Sequence, residues 1–294
     1  MHSASVDSAE QLDSSQEWAF EFTDRDFILV RKLLADHAGI ALAEAKRDMV
    51  YSRLVRRLRV LKLTRFRDYL DLLDGGDAPE FVNFVNALTT NLTSFFREPH
   101  HFDFLKQRVI PNMCQARAES RRLRIWSAGC STGEEPYSLA MTLLENMPNL
   151  AGWDVRILAT DLDSNVLAAA SAGVYGEDRV KNIPSEYLQR YFLRGRGANA
   201  GQVKASEELK SLITFKQLNL MEAWPMRGMF DVIFCRNVVI YFDKPTQAKL
   251  FARYADTLAD DGYLFIGHSE TLYKITDRFK LIGTTIYEKV RGGA

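Results

Sequence analysis

Residues 125 to 140 read IWSAGCSTGEEPYSLA. An apolar run ends at Trp126, the small residues Gly129-Cys130-Ser131-Thr132-Gly133 follow, and a helical pattern starts near Pro136. A strand, a glycine turn and a helix in that order form the usual cradle for a nucleotide. A phosphate-binding turn, however, needs a lysine or bare backbone amides, and this one presents Glu134 and Glu135. Paired carboxylates suit the positive end of a helix dipole, yet they repel a pyrophosphate. The glycine spacing is GxxxG, so the NAD fingerprint is not met, and the ATP motif GxxxxGK[ST] is absent. The turn favours a nucleoside that carries positive charge and no phosphate.

Other strand ends supply the rest of such a site. Asp161 closes the apolar run VRILAT, Asn219-Leu220 follows ITFKQ, and Cys235-Arg236-Asn237 follows FDVIF. A carboxylate at the end of the second strand matches the two hydroxyls of a ribose. Asn219 can address an adenine edge, and Glu134 or Glu135 can pair with an ammonium. Ribose, adenine, amino-acid ammonium and no phosphate together describe S-adenosylmethionine. The plainer reading of Glu134 and Glu135, that they only favour a helix start, stands beside this one.

These residues need a scaffold that brings strand ends together. After residue 120 strands and helices alternate: LRIWSAG, PYSLAMTLLENM, VRILATDLD, NVLAAASAG, SLITFKQLNL, FDVIFCRNVVIYF, KPTQAKLFARYADTLAD and YLFIGHSE. Alternation of this kind predicts an α/β fold, a mostly parallel sheet covered by helices on both faces. Asp261-Gly262 is read as the turn before the last of these strands. FKLIGTTIYEKV reads as two strands around Gly283, so a C-terminal hairpin adds an antiparallel edge strand. Residues 186–212 resist the alternation and are too long for a loop. With Gly195, Gly197 and Gly201 they read as a small inserted β-subdomain.

From Phe20 to about Asn91 the pattern is helical throughout. Thr23-Asp24 caps a first helix that Gly39 ends, and Val50, Leu54, Leu58 and Leu61 make one face of a second. The expected organisation is a disordered lead-in over 1–18, a small all-helical domain over 19–90 and the α/β domain over 91–294.

The totals narrow the class. Lys+Arg 38 against Asp+Glu 38 leaves no net field for nucleic acid. The three cysteines, Cys114, Cys130 and Cys235, stand far apart with no CxxC pair and an odd count, so a disulfide framework is not expected and a reducing cytoplasm is the natural setting. No run reaches the ~18 apolar residues of a membrane span, and the N-terminus lacks the pattern of a signal peptide. A cytoplasmic monomer without direct membrane insertion and without a metal is the expectation.

Four motifs in order, ALTTNLTSFFREPHHF (87–102), WSAGCSTGEEPYS (126–138), ATDLD (159–163) and IFCRNVVIYFDK (233–244), resemble the chemotaxis receptor glutamate O-methyltransferases, the CheR family. AGIALAEAKRDMVYSRLVRRLR (38–59) and YLFIGHSE add to it. The resemblance runs from about residue 22 to the end. It implies a class I S-adenosylmethionine-dependent methyltransferase fold, Rossmann-like, behind a helical N-terminal domain. It also implies transfer of methyl to glutamate side chains of receptor cytoplasmic domains, with S-adenosylhomocysteine as product, in chemotactic adaptation.

Carried over by position, the cofactor pocket would use Asn91, Thr93, Arg97, Glu135, Asp161, Asn219, Leu220, Cys235, Arg236 and Asn237. Arg97 and Tyr241 would stand on the acceptor side, with Arg194 a further candidate in the insertion. Taken alone, Arg97 reads as a helix cap or a partner of Glu98, and Tyr241 as a half-buried strand end. His268 and Ser269 read as structural.

Residues 46–67 hold nine basic side chains against one acid, Asp48. Arg53, Arg56, Arg57 and Arg59 lie on the second helix, the first three sharing one face by their spacing. Such a run is commonly just a solvated face, but here it can also dock an acidic receptor helix. In the family the β-subdomain of some members grips a C-terminal receptor peptide by strand addition, and RGRGANAG (194–201) resembles their glycine-bearing loop. A methyltransferase acting on RNA or a small molecule, and a non-catalytic receptor-binding adaptor, are the rival readings.

Overall fold

The computed structural model describes residues 20–291, so the lead-in over 1–18 lies outside the described residues. Four helices come first: α1 (Asp24–Ala38), α2 (Arg47–Leu61), α3 (Phe66–Asp74) and α4 (Ala78–Leu88). Thr23 and Asp26 form a reciprocal capping box at the start of α1, and Gly39 ends it in the left-handed region at φ 69°. Phe27, Val30, Leu54, Leu58, Tyr69 and Phe84 fill the core between these helices.

Helices α5 (Pro99–Phe104) and α6 (Ile110–Ala116), joined by one π-helical turn, lead into the sheet. Then come β1 (Arg122–Ala128), α7 (Glu134–Asn146), β2 (Asp154–Asp161) and α8 (Ser164–Ala172). The insertion holds β3 (Val174–Gly176), α9 (Ser185–Tyr191), β4 (Phe192–Arg194), β5 (Gln202–Ala205) and α10 (Glu207–Ser211). The chain closes with β6 (Ile213–Gln217), β7 (Phe230–Cys235), α11 (Lys244–Thr257), β8 (Leu258–Ile266), β9 (Phe279–Gly283) and β10 (Ile286–Lys289).

Seven strands form one sheet in the order β6-β2-β1-β7-β8-β10-β9. The first five are parallel, and β10 runs antiparallel to both β8 and β9. Alternating side chains feed two cores: Leu123 and Ile125 of β1 pack beneath α5, α6 and α7, while Trp126 and Ala128 face α11. The strand order reverses at β1, between β2 and β7, and ligands of open α/β sheets bind at such a switch point.

Four local expectations change. The inserted sheet has three strands, β3-β5-β4, and begins at Val174 rather than near residue 186; a three-residue strand is too short to carry a pattern. VVIYF is not a strand. Asn237 at φ 59° breaks the ladder after Cys235, and Val239–Tyr241 form a 3-10 turn. Asp261-Gly262 lies inside β8, where the register against β7 shifts, and not in a turn. The antiparallel strand β10 sits one place in from the edge, with β9 outside it.

Candidate active site

A cavity of about 490 Å³ opens at the carboxyl ends of β1, β2, β6 and β7. Nearly half of its lining is helical-domain chain and linker: Ala38, Ile40 to Ala43, Lys46, Met49, and Leu88 to Ser94. The two parts are stitched beside it. The Ala41 amide donates to the Tyr241 carbonyl at 2.7 Å, and Asn219 Nδ2 donates to the His37 carbonyl at 2.5 Å.

The glycine turn after β1 works by close approach. Gly129 has φ 89°, and a Cβ there would stand 2.3 Å from Val238 Cγ2. Ser131, at φ 48°, donates its amide to Asp161 Oδ2 at 2.8 Å, and the Asp163 amide donates to Oδ1 at 3.0 Å. Burial nonetheless pushes the Asp161 carboxyl above the usual range, against those two amides. Asp163 caps α8 and accepts from Asn91 Nδ2 at 2.8 Å and Thr89 Oγ1 at 3.1 Å, which pins the linker to β2.

The paired acids part company. Glu134 is wholly buried and is taken by Arg179 and by Thr132 Oγ1, and it does not line the cavity. Glu135 lines it. Ser127 Oγ donates to Glu135 Oε1 at 2.7 Å and Arg236 Nη1 to Oε2 at 3.1 Å. Burial raises the Glu135 carboxyl despite the opposing pull of Arg236.

Arg236 is a hub. It also donates to the Arg97 carbonyl, and its Nη2 lies 3.3 Å from Glu98 Oε2. Glu98, at φ 57°, accepts in turn from the His268 amide at 3.2 Å, with His268 Nδ1 at 2.8 Å. Burial alone would raise the Glu98 carboxyl; Arg236 and His268 outweigh it and hold it at about 2. Glu98, His100 and His101 bring possible ligand atoms within 4.8 Å of one another, but the adjoining guanidinium opposes a cation there.

Arg97 and Tyr241 meet at the mouth. Arg97 Nη1 donates to the Leu92 carbonyl at 2.8 Å, and the Tyr241 hydroxyl reaches the Thr90 carbonyl at 3.4 Å. Burial pushes the Tyr241 phenol up while Arg97 and Arg53 pull it down; the net is upward, so it stays a hydroxyl donor at neutral pH.

Two family descriptions cover almost all of the described chain. Residues 25–89 match "CheR methyltransferase, all-alpha domain", and residues 91–288 match "CheR methyltransferase, SAM binding domain". The chain belongs to the CheR methyltransferase family. It is 47% identical to chemotaxis protein methyltransferase 2 of Pseudomonas aeruginosa, over 91% of this chain and 94% of that protein. It is 46% identical to the chemotaxis protein methyltransferase of Escherichia coli K12, over 90% and 91%. The boundary between the two CheR matches falls at residues 89–91, the segment that Asp163 pins. S-adenosylmethionine suits the residues present: carboxylates at Asp161 and Glu135, and a volume within the ~300–1,000 Å³ of small-molecule sites.

Of the site residues expected in this CheR chain, Asn91, Thr93, Arg97, Glu135, Asp161, Asn219, Leu220, Arg236, Asn237 and Tyr241 share the cavity. Cys235 does not. As the last residue of β7 it turns its thiol away, where Tyr254 donates to it at 3.2 Å. Arg194, exposed at the end of β4, is outside the lining. The basic stripe is also reduced. Arg57 Nε and Nη2 grip both oxygens of buried Glu80 at 3.0 and 2.6 Å, tying α2 to α4. Arg53 is spent on the linker, donating to the Ala87 and Thr89 carbonyls at 3.3 and 2.6 Å. Arg56 and Arg59 remain exposed.

Sequence reasoning missed Glu98, read only as a neighbour of Arg97, and Glu270. Glu270 is buried and accepts the amides of Asn237 at 3.0 Å, Ile240 at 3.3 Å and Gly267 at 2.5 Å. It also missed Arg253, whose guanidinium lies 3.9 Å from the Trp224 ring centre and donates to the Leu220 and Glu222 carbonyls. No local pattern marks these three; each acts across more than thirty residues of chain.

Proposed function

We propose that this chain transfers methyl from S-adenosylmethionine to the side-chain carboxylate of glutamates in the cytoplasmic helices of chemotaxis receptors. The products are glutamate methyl esters and S-adenosylhomocysteine, and the setting is sensory adaptation in the cytoplasm. The observation that carries this reading is the convergence of Arg97 and Tyr241 on the same cavity as Glu135 and Asp161.

Asp161 would hold the ribose, Asn219 and Leu220 the adenine side, and Glu135 the ammonium, with Asn91, Thr93, Arg236 and Asn237 around them. When bound, the cofactor supplies an electrophilic methyl on a sulfonium. An acceptor glutamate, with an ordinary pKa of about 4.3, is ionised at neutral pH, so no residue has to remove a proton. Arg97 and Tyr241 orient the carboxylate, and Leu42, Met49, Leu88, Leu162 and Leu220 make much of the cavity wall apolar. Alignment of this kind is worth up to several kcal/mol, and loss of charge along the path favours a dry site.

Arg56 and Arg59 would steer the acidic helices. Strands β3 and β4 are the two edges of the inserted sheet, so either can accept a receptor C-terminal peptide by strand addition. Deleting the receptor's last residues should then weaken methylation, and an unchanged rate would remove the tether.

The decisive experiment is labelled methyl transfer from S-adenosylmethionine to a purified receptor cytoplasmic fragment, with alkaline release of methanol. Alkali-labile label that disappears when the target glutamate becomes glutamine supports the reading. Label that survives alkali points to an amine or RNA acceptor. Arg97→Ala and Tyr241→Phe should lose turnover while retaining cofactor; variants that turn over normally would favour the adaptor.

A further inference from the structure

Two large apolar side chains stand at the cavity mouth and face solvent: Leu92 at 79% exposure and Ile240 at 49%. Both belong to the cavity lining. A single exposed leucine means little, but these two are fixed to the polar groups that flank the acceptor. The Leu92 carbonyl is the acceptor for Arg97 Nη1 at 2.8 Å. Ile240 precedes Tyr241 in one 3-10 turn, and its amide is held by buried Glu270 at 3.3 Å.

The surroundings are positive. Arg97 and Arg53 both act on the Tyr241 hydroxyl, and Arg53 Nη2 lies 3.4 Å from Thr90 Oγ1 on the same rim. Apolar side chains exposed at a cavity mouth beside guanidinium groups offer an amphipathic, acidic partner both kinds of contact, apolar and charged.

We propose that Leu92 and Ile240 form an apolar clamp that seats an acidic amphipathic helix, accepting its apolar side chains three or four positions from the reactive glutamate. Residues at that spacing share a helix face with the glutamate. Arginines draw in any glutamate of an acidic run with similar strength; contacts to apolar neighbours separate one glutamate from the next. The clamp thus sets which glutamate enters. It rests on the reading of this cavity as a glutamate methyltransferase site.

Fluorescence anisotropy of a labelled acidic amphipathic helix, with S-adenosylhomocysteine present, tests the clamp without turnover. Leu92→Ser and Ile240→Ser should each raise Kd about five- to tenfold, tenfold being about 1.4 kcal/mol. Leu281→Ser, which removes a leucine 58% exposed on the distant edge strand β9, should leave it within about twofold. Replacing the helix's flanking apolar residues by serine should weaken binding to the unaltered protein and add little to Leu92→Ser. Unchanged Kd for both variants, additive losses, or an equal loss with an unstructured acidic peptide or single-stranded RNA would overturn the clamp. Alkali-labile methylation of the same helix is scored separately. Its absence with the Kd shifts intact would overturn the assigned reaction and leave the clamp standing.

Discussion

Arg236 Nη1 stands 3.1 Å from Glu135 Oε2, with only 2% and 11% of the two side chains exposed. The same guanidinium also faces Glu98, so two buried carboxylates share one cation. Of the two carboxylates, Glu135 lines the cavity, and Glu98 lies outside the lining.

Removing Arg236 leaves both carboxylates without their cation. Arg236→Ala should cost about 3–5 kcal/mol of stability, the range for breaking a buried pair, and abolish cofactor binding. Denaturant unfolding and calorimetric titration with S-adenosylhomocysteine measure the two losses. Glu135→Gln, which keeps an acceptor for Ser127, should retain most stability and still lose at least about tenfold in affinity.

The carboxyls of Glu135 and Asp161 are both raised, chiefly by burial. A cationic ligand binds their ionised forms, so affinity should be full above the raised values and decline as pH falls through them. Titrations from about pH 8 down to about pH 5 should show this slope in the unaltered protein and a flatter one in Glu135→Gln. Stability responds with opposite signs. For Glu135 and Asp161 the contribution is present below the unfolded carboxyl value of about 4 and lost as pH rises through the folded value. For Glu98, depressed to about 2, the contribution is present above the unfolded value and lost as pH falls towards 2. Glu98→Gln should therefore flatten the acid limb of the stability curve.

Arg253 braces the loop that carries Asn219 and Leu220, stacking on Trp224 while donating to the Leu220 carbonyl at 2.5 Å. Burial lowers its pKa. Arg253→Met should keep the fold and weaken S-adenosylhomocysteine binding about tenfold, from loss of the charged hydrogen bonds. Equal affinity by calorimetry would show that the loop holds without the brace.

Arg57 and Arg56 are adjacent and should behave differently. Arg57 pairs bidentately with Glu80, which Tyr69 also contacts at 2.9 Å. Arg57→Ala should cost about 3 kcal/mol in denaturant unfolding, with receptor binding following the fold. Arg56→Ala and Arg59→Ala should stay within about 0.5 kcal/mol but raise KM for the receptor fragment in a salt-dependent way.

The α/β architecture, the helical front domain and the strand-end residues of the pocket were legible because they follow local rules. Strand ends carry ligands, glycine marks the tight turn, and apolar period distinguishes helix from strand. Glu135 was separable from Glu134 only by the family resemblance; in the fold the reason is that Arg179 takes Glu134. VVIYF was misread because its composition suits a strand, whereas the positive φ of Asn237 and the capture of the Ile240 amide by Glu270 turn it into a 3-10 bend. The stripe of arginines looked uniform because spacing shows a common face but not which partners meet it.

Residue order along the chain was enough to point to the class of fold, to a pocket of S-adenosylmethionine type and to the strand ends that line the cavity, since these depend on neighbours within a turn or a strand. Folding decided the allocation of charge. Arg53, Arg57, Glu98, Arg236 and Arg253 find their partners across gaps of 23 to 170 residues, and a buried ion acts on whatever packs beside it, however distant in the chain. The helical domain's share of the cavity wall has the same origin, because contacts such as Ala41 to Tyr241 exist only once the domains have packed together.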